Sequence, residues 1–353
     1  MQHHSHSRRI LPRRSRTLAS LLCVSLAALA AATGCGKNPT GTGDLSGTHM
    51  LAFASDRGHA SGQYDLYLFD FDTGGYKELP STVKSGAAER HPSISSDGRF
   101  IAYQVDRGIG TGQDIEILDR FRGVVIDRDS LPGLNTMADE TEPVFTGDGL
   151  KLCYVQGNNT TRHVRMYDGR TKQIVPLSGI DAPAPFSDYS PAPNRDGSVI
   201  AFVTNRAGTP DVMLYSQTRG ILDGPKLRAC LVSAAEDVDP AWSGGNRYIA
   251  FSSDRPGSLG QHDIYLLEFT TTPTTVDTVL VPLPLLNSSS DERHPTLSEA
   301  GNILVFQSNN GGGQGRWDMW NYDITHTPAV APSQVNFENT SYDEIEPSLR
   351  WPF

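Results

Sequence analysis

The stretch Glu89–Asp119, ERHPSISSDGRFIAYQVDRGIGTGQDIEILD, decides how the rest of the chain is read. It opens on an acid, starts a short strand with Pro92, and turns at Asp97-Gly98. A strand through Phe100, Ile101, Ala102 and Tyr103 follows. Then come Asp106-Arg107-Gly108, a glycine-rich loop, and another strand opened by Asp114. The proline recurs as Pro143, Pro191, Pro240, Pro295 and Pro347, at intervals of 51, 48, 49, 55 and 52 residues. A period near fifty with several strands per unit points to a radial β array rather than one compact core.

Other landmarks keep phase with the prolines. The second strand reads LAF at Leu51, IAY at Ile101, LCY at Leu152, IAF at Ile200 and Ile249, and LVF at Leu304. The third opens with Asp65, Asp114, Asp211, Asp263 and Asp318, with His163 breaking the series. The turns before the second strands, Asp97-Gly98, Asp148-Gly149, Asp196-Gly197, Gly245-Asn246 and Gly301-Asn302, suit hairpins that need φ > 0.

The first unit lacks its opening strand, and the last consists of that strand alone, Glu344 to Trp351. The fragments make one unit, so the sequence predicts an all-β, six-bladed propeller of four-stranded antiparallel blades. Its C-terminal strand would complete the N-terminal blade, removing the unpaired edges of an open array. Cys230 is expected in an outer strand, and Thr270 to Leu286 in an extended outer pair. The expected organisation is a leader over residues 1–34, a tether over 35–47, and the propeller over 48–353.

The leader has Arg8, Arg9, Arg13, Arg14 and Arg16 ahead of a fifteen-residue apolar run, Leu18 to Ala32. That run is short for a membrane span and fits a secretory signal. It ends in Ala32-Thr33-Gly34-Cys35, which resembles a bacterial lipobox; the resemblance implies cleavage before Cys35 and its lipidation. An ordinary secretory cleavage is the alternative. Without the leader the charge is −15, from 25 basic and 40 acidic residues. This argues against nucleic acid or an anionic membrane surface as a partner. Cys153 and Cys230 are expected as free thiols.

The pattern of proline, Ser-x-Asp-Gly, Ile-Ala-Phe, Ser-Asp-Arg-x-Gly and Asp-Ile-Tyr resembles the WD40-like repeats of TolB-type β-propellers. HPSISSDGRFIAY at His91, IAFSSDRPGSLGQHDIYLLE at Ile249 and LAFASDRGHASGQYDLYLFDFDTGG at Leu51 carry the resemblance. It implies a six-bladed propeller in a bacterial envelope, often a protein-binding platform. No counterpart of TolB's N-terminal α/β domain is expected here, so the resemblance does not imply a role in the Tol–Pal system.

Two sets of residues are candidates for chemistry. Three positions before each proline stands an acid: Glu89, Glu140, Asp188, Asp237, Glu292 and Glu344. A carboxylate ring at the channel mouth would hold a calcium-like divalent cation or attract a cationic peptide. The structural alternative pairs these acids with Arg57, Arg107, Arg206 and Arg255. One position before the proline stand His91, Glu142, Ser190, Asp239, His294 and Glu346. Among them His91, His294 and Glu346, on adjacent blades, form a possible transition-metal set.

Asp70 to Gly75 reads as a hairpin turn, and the glycine runs after Arg107 and Asn310 as loops, not phosphate sites. No Gly-x-Ser-x-Gly and no His-Glu-x-x-His occurs. The functional expectation is therefore a monomeric, lipid-anchored envelope module that binds a protein or peptide at the channel mouth and is not an enzyme. An enzyme acting on a glycan or peptide in the channel, and a purely structural envelope protein, are the alternatives.

Overall fold

The computed structural model describes residues 49–350 apart from 60–62, 84, 109–111, 159, 271–276, 314 and 336–339. The expected leader, Cys35 and tether lie outside the described residues. The strands form six four-stranded sheets. In blade 2 the strands run outward as Ala88–Ile94, Phe100–Asp106, Gln113–Asp119 and Val124–Val125. Every neighbouring pair is antiparallel.

Blade 1 closes the ring. Glu344–Arg350 pairs antiparallel with Met50–Ser55, setting Leu349 opposite Leu51 and Glu344 opposite Ser55. The inner-to-second-strand turns have the expected conformation, with φ of +71° at Gly98, +70° at Gly149, +73° at Gly197, +60° at Asn246 and +75° at Gly301. At Gly98 there is a second reason for glycine: a Cβ would lie 2.8 Å from both Arg350 Nε and Met50 Cε.

The apolar core is divided among the spaces between blades. Alternate residues of the second strands point to opposite neighbours, as strand geometry requires. Leu51 and Phe53 pack with Val305 and Met319 of blade 6, whereas Ala52 and Ala54 pack with Ile101 and Tyr103 of blade 2. The Ile/Leu-Ala-Phe triplets thus supply both interfaces of a blade.

One local expectation changes. Cys230 sits not in an outer strand but in the helix Pro225–Leu231. Pro225 presets the first turn, and Leu227 and Leu231, one helical turn apart, bury against the blade 4 and 5 core. Of the segment expected as the outer pair of blade 5, Thr278–Val281 is a strand paired with Asp263–Phe269, and residues 271–276 lie outside the described residues. Cys153 and Cys230 are free thiols.

Candidate binding site in the channel

Each innermost strand breaks register at its proline. The ladder slips between Arg90 and Ser93, Thr141 and Val144, Tyr189 and Ala192, Val238 and Ala241, and Arg293 and Thr296. The closing strand slips at the matching place, between Ile345 and Ser348. Proline has no N–H to give a ladder, which favours a bulge on the free edge facing the channel. The preceding residue takes a left-handed backbone: φ is +47° at His91, +51° at Glu142, +47° at Ser190, +53° at Asp239, +49° at His294 and +57° at Glu346. Such a conformation costs a non-glycine residue about 1–3 kcal/mol. It lifts these six side chains off the blade faces and into the wall of a central cavity of ≈ 250 Å³.

The six are wired in an alternating pattern. Blades 1, 3 and 5 carry acids, and each acid accepts the backbone N–H of the corresponding residue in the next blade. Glu346 Oε2 takes it from His91 at 2.7 Å, Glu142 Oε2 from Ser190 at 2.6 Å, and Asp239 Oδ2 from His294 at 3.4 Å. An arginine reinforces each: Arg90 on Glu346, Arg162 on Glu142 at 3.5 Å, and Arg293 on Asp239 at 3.1 Å. Burial raises the Asp239 pKa, but His294 and Arg293 outweigh it and leave the group at about 2. For Glu346, too, His91, Arg90 and His294 overcome burial and hold the carboxyl below its ordinary value. Burial holds the His294 imidazole below its ordinary pKa.

The acids three positions before the prolines lie elsewhere. Glu89, Glu140, Asp188, Asp237, Glu292 and Glu344 are all buried, and none lines the central cavity. They clamp the loops that enter each blade. Glu89 accepts from Ser85 Oγ at 2.7 Å, Glu140 from Thr136 Oγ1 at 2.5 Å, Glu292 from Ser288 Oγ at 2.5 Å and Glu344 from Thr340 Oγ1 at 2.5 Å. The hydroxyl always stands four residues upstream, a spacing present in the sequence that its reading overlooked. Asp188 pairs with Arg206 at 2.7 Å, Asp237 with Arg255 at 2.5 Å, and Glu344 also with Arg57 at 3.5 Å. Arg107 turns to Asp114 and Glu116 instead. Burial raises the Glu344 pKa to about 7 against the opposing influence of Thr340 and Arg57. It raises the Glu89 pKa as well, with Asp65 close by.

His91, His294 and Glu346 do meet on the channel wall. His91 Nε2 is 3.2 Å from Glu346 Oε1, and the two imidazole centroids are 6.4 Å apart. His294 Nδ1 faces Asp239 at 3.6 Å. Among the described residues, no group of three or more His, Cys, Asp or Glu is arranged to hold a metal ion.

Solved structures share this architecture. TolB from Acinetobacter baumannii matches with a TM-score of 0.59 and 18% identity, over 87% of this chain and 67% of its own. The fold is that of a TolB-like propeller. A putative TolB from Agrobacterium tumefaciens matches with a TM-score of 0.51 and 12% identity, covering 82% of this chain and 88% of that one. Oligogalacturonate lyase in complex with manganese is similar too, with a TM-score of 0.51 and 12% identity over 83% and 77% of the two chains. At such identities the TolB-like assignment speaks for fold, and function rests on the site. No protein-family model and no curated protein matches the sequence. Among the described residues no helix is long and apolar enough to cross a membrane.

Proposed function

We propose that this TolB-like propeller is an envelope-anchored module that binds a protein or peptide segment in its channel. The observation that carries the reading is the ring of residues before the prolines. In all six blades a strained bulge turns a polar side chain into the channel wall, and its identity changes from blade to blade. Unlike side chains around one cavity suit recognition of an asymmetric chain segment. The lipobox-like Ala32-Thr33-Gly34-Cys35 and the tether support anchoring at the envelope.

A photo-crosslinking residue placed in the intact, secreted chain tests the proposal. At Ser96, on the cavity wall, it is expected to give one discrete protein adduct. At the exposed outer-strand Val279 it is expected to give none. Equal labelling at both positions, or none at Ser96, refutes channel binding. Cys35→Ala is expected to release the chain from membranes, and a variant that still sediments with them refutes the anchor.

A further inference from the structure

A second cavity, of ≈ 230 Å³, lies at the junction of blades 6, 1 and 2. Its wall shares His294 and Glu346 with the channel and adds Arg90, Arg293, Arg316, Gln307 and Asp343. Every arginine there is matched to a carboxylate, yet the pairs are not symmetric towards solvent. Arg90 is 39% exposed against 4% for Glu346, Arg293 is 28% against 6% for Asp239, and Arg316 is 68% against 2% for Asp343. Glu346 and Asp343 also line the cavity, but they are nearly covered while their arginines are exposed, so the solvent-facing part of the wall is guanidinium.

The remaining polar groups agree. Gln307 Oε1 accepts the Glu346 N–H at 2.8 Å, which leaves its NH₂ as the end available to the cavity. Arg90 Nε is buried and has no hydrogen-bond partner among the described residues. The Tyr64 ring supports the Arg90 guanidinium from 5.1 Å, and Trp317 completes the wall. Guanidinium forks match the two oxygens of a carboxylate or phosphate. Distant acids of the chain do not prevent this, because charges beyond about 8 Å are largely screened at physiological ionic strength, and the two acids in the wall are already paired with Arg90 and Arg316.

We propose that this junction cavity is a binding site for an oxyanion, held by Arg90, Arg293 and Arg316 with Gln307. Two sources offer that chemistry: a carboxylate on a peptide, and free phosphate. The inference stands apart from the channel proposal, since it rests on a different cavity and is tested with small probes.

The test is calorimetric titration of the whole chain with N-acetylglutamate, inorganic phosphate and the neutral diamide N-acetylglutaminamide. Arg316→Gln is the gentler variant, because Asp343 keeps the backbone N–H groups of Arg316 and Trp317 at 3.0 and 3.2 Å. Arg90→Lys keeps a charge beside Glu346 and removes the fork. At least one anion is expected to bind while the amide does not. Each variant, with an unchanged melting profile, is expected to weaken binding by about tenfold, the loss of one charge-assisted hydrogen bond. Tighter N-acetylglutamate binding assigns the site to a peptide carboxylate, and tighter phosphate binding to a free anion. Silence with both anions, equal affinity for the amide, or unaltered binding in both variants overturns the proposal. Each of those results leaves the Ser96 crosslink standing, and a failed crosslink leaves the titration standing.

Discussion

Replacing Glu344 by Gln should stabilise the protein in neutral and alkaline solution and not in acid. Glu344 begins the strand that closes the ring and is buried, with Thr340 Oγ1 at 2.5 Å and Arg57 at 3.5 Å. Its carboxyl rises from 4.5 to about 7 on folding, because burial outweighs both partners. The folded state therefore holds this proton more tightly than the unfolded state does. The resulting stability is fully present below pH 4.5 and is lost as pH rises through 7. A shift of that size corresponds to about 3 kcal/mol, an upper figure because buried sites relax and admit water. Gln keeps the shape and does not titrate. Arg57 retains the Tyr76 hydroxyl at 2.7 Å and the faces of Tyr67 and Tyr76. Urea unfolding at pH 5, 6, 7 and 8 measures the effect. The variant should gain on the parent by about 1–3 kcal/mol across that range, and the gain should flatten above the folded pKa. Glu89 and Glu292 are raised in the same direction, so only the difference between the two proteins isolates Glu344. A difference that does not change with pH, or that changes in favour of the parent, refutes the argument.

Three further outcomes are expected. Deleting Ile345 to Phe353 leaves the edge of Met50–Ser55 unpaired and should abolish the soluble monomer; a normally melting monomeric truncation, seen by light scattering and calorimetry, counts against closure. Asp239→Asn should cost about 2 kcal/mol at pH 7, because the carboxyl falls from 3.8 to about 2 on folding. That stability is present above pH 4 and lost as pH falls through 2, so the penalty measured by denaturation should shrink in acid. Cys153 is buried, with its thiol pushed well above the ordinary value by burial. Maleimide should therefore label Cys230 in the native protein and reach Cys153 only after unfolding; mass spectrometry showing early labelling at Cys153 would contradict the packing.

The antiparallel blades and the φ > 0 turns follow from residues near one another in sequence, and the shared closing blade from the repeat, whose first unit lacks the strand that its last supplies. They depend on local backbone rules and on the two-residue alternation that sends Leu51 and Ala52 to different neighbours. The hydroxyl four residues before Glu89, Glu140, Glu292 and Glu344 was equally legible, because a loop clamp is a local contact.

Which acids face the channel was a different kind of question. In an unbroken strand, residues two apart share a face, so the positions three and one before each proline seemed equivalent. The bulge at the proline breaks that parity. It turns His91, Glu142 and their counterparts into the channel and leaves Glu89, Glu140 and theirs buried at the loops. The alternating ring, in which every second blade supplies a carboxylate to the next blade's N–H, joins residues about fifty or more apart. It exists only once the six blades are set around one axis. The sequence determined the propeller because its repeat is local. The tertiary structure decided what the channel displays, because that depends on the direction of side chains meeting from different blades.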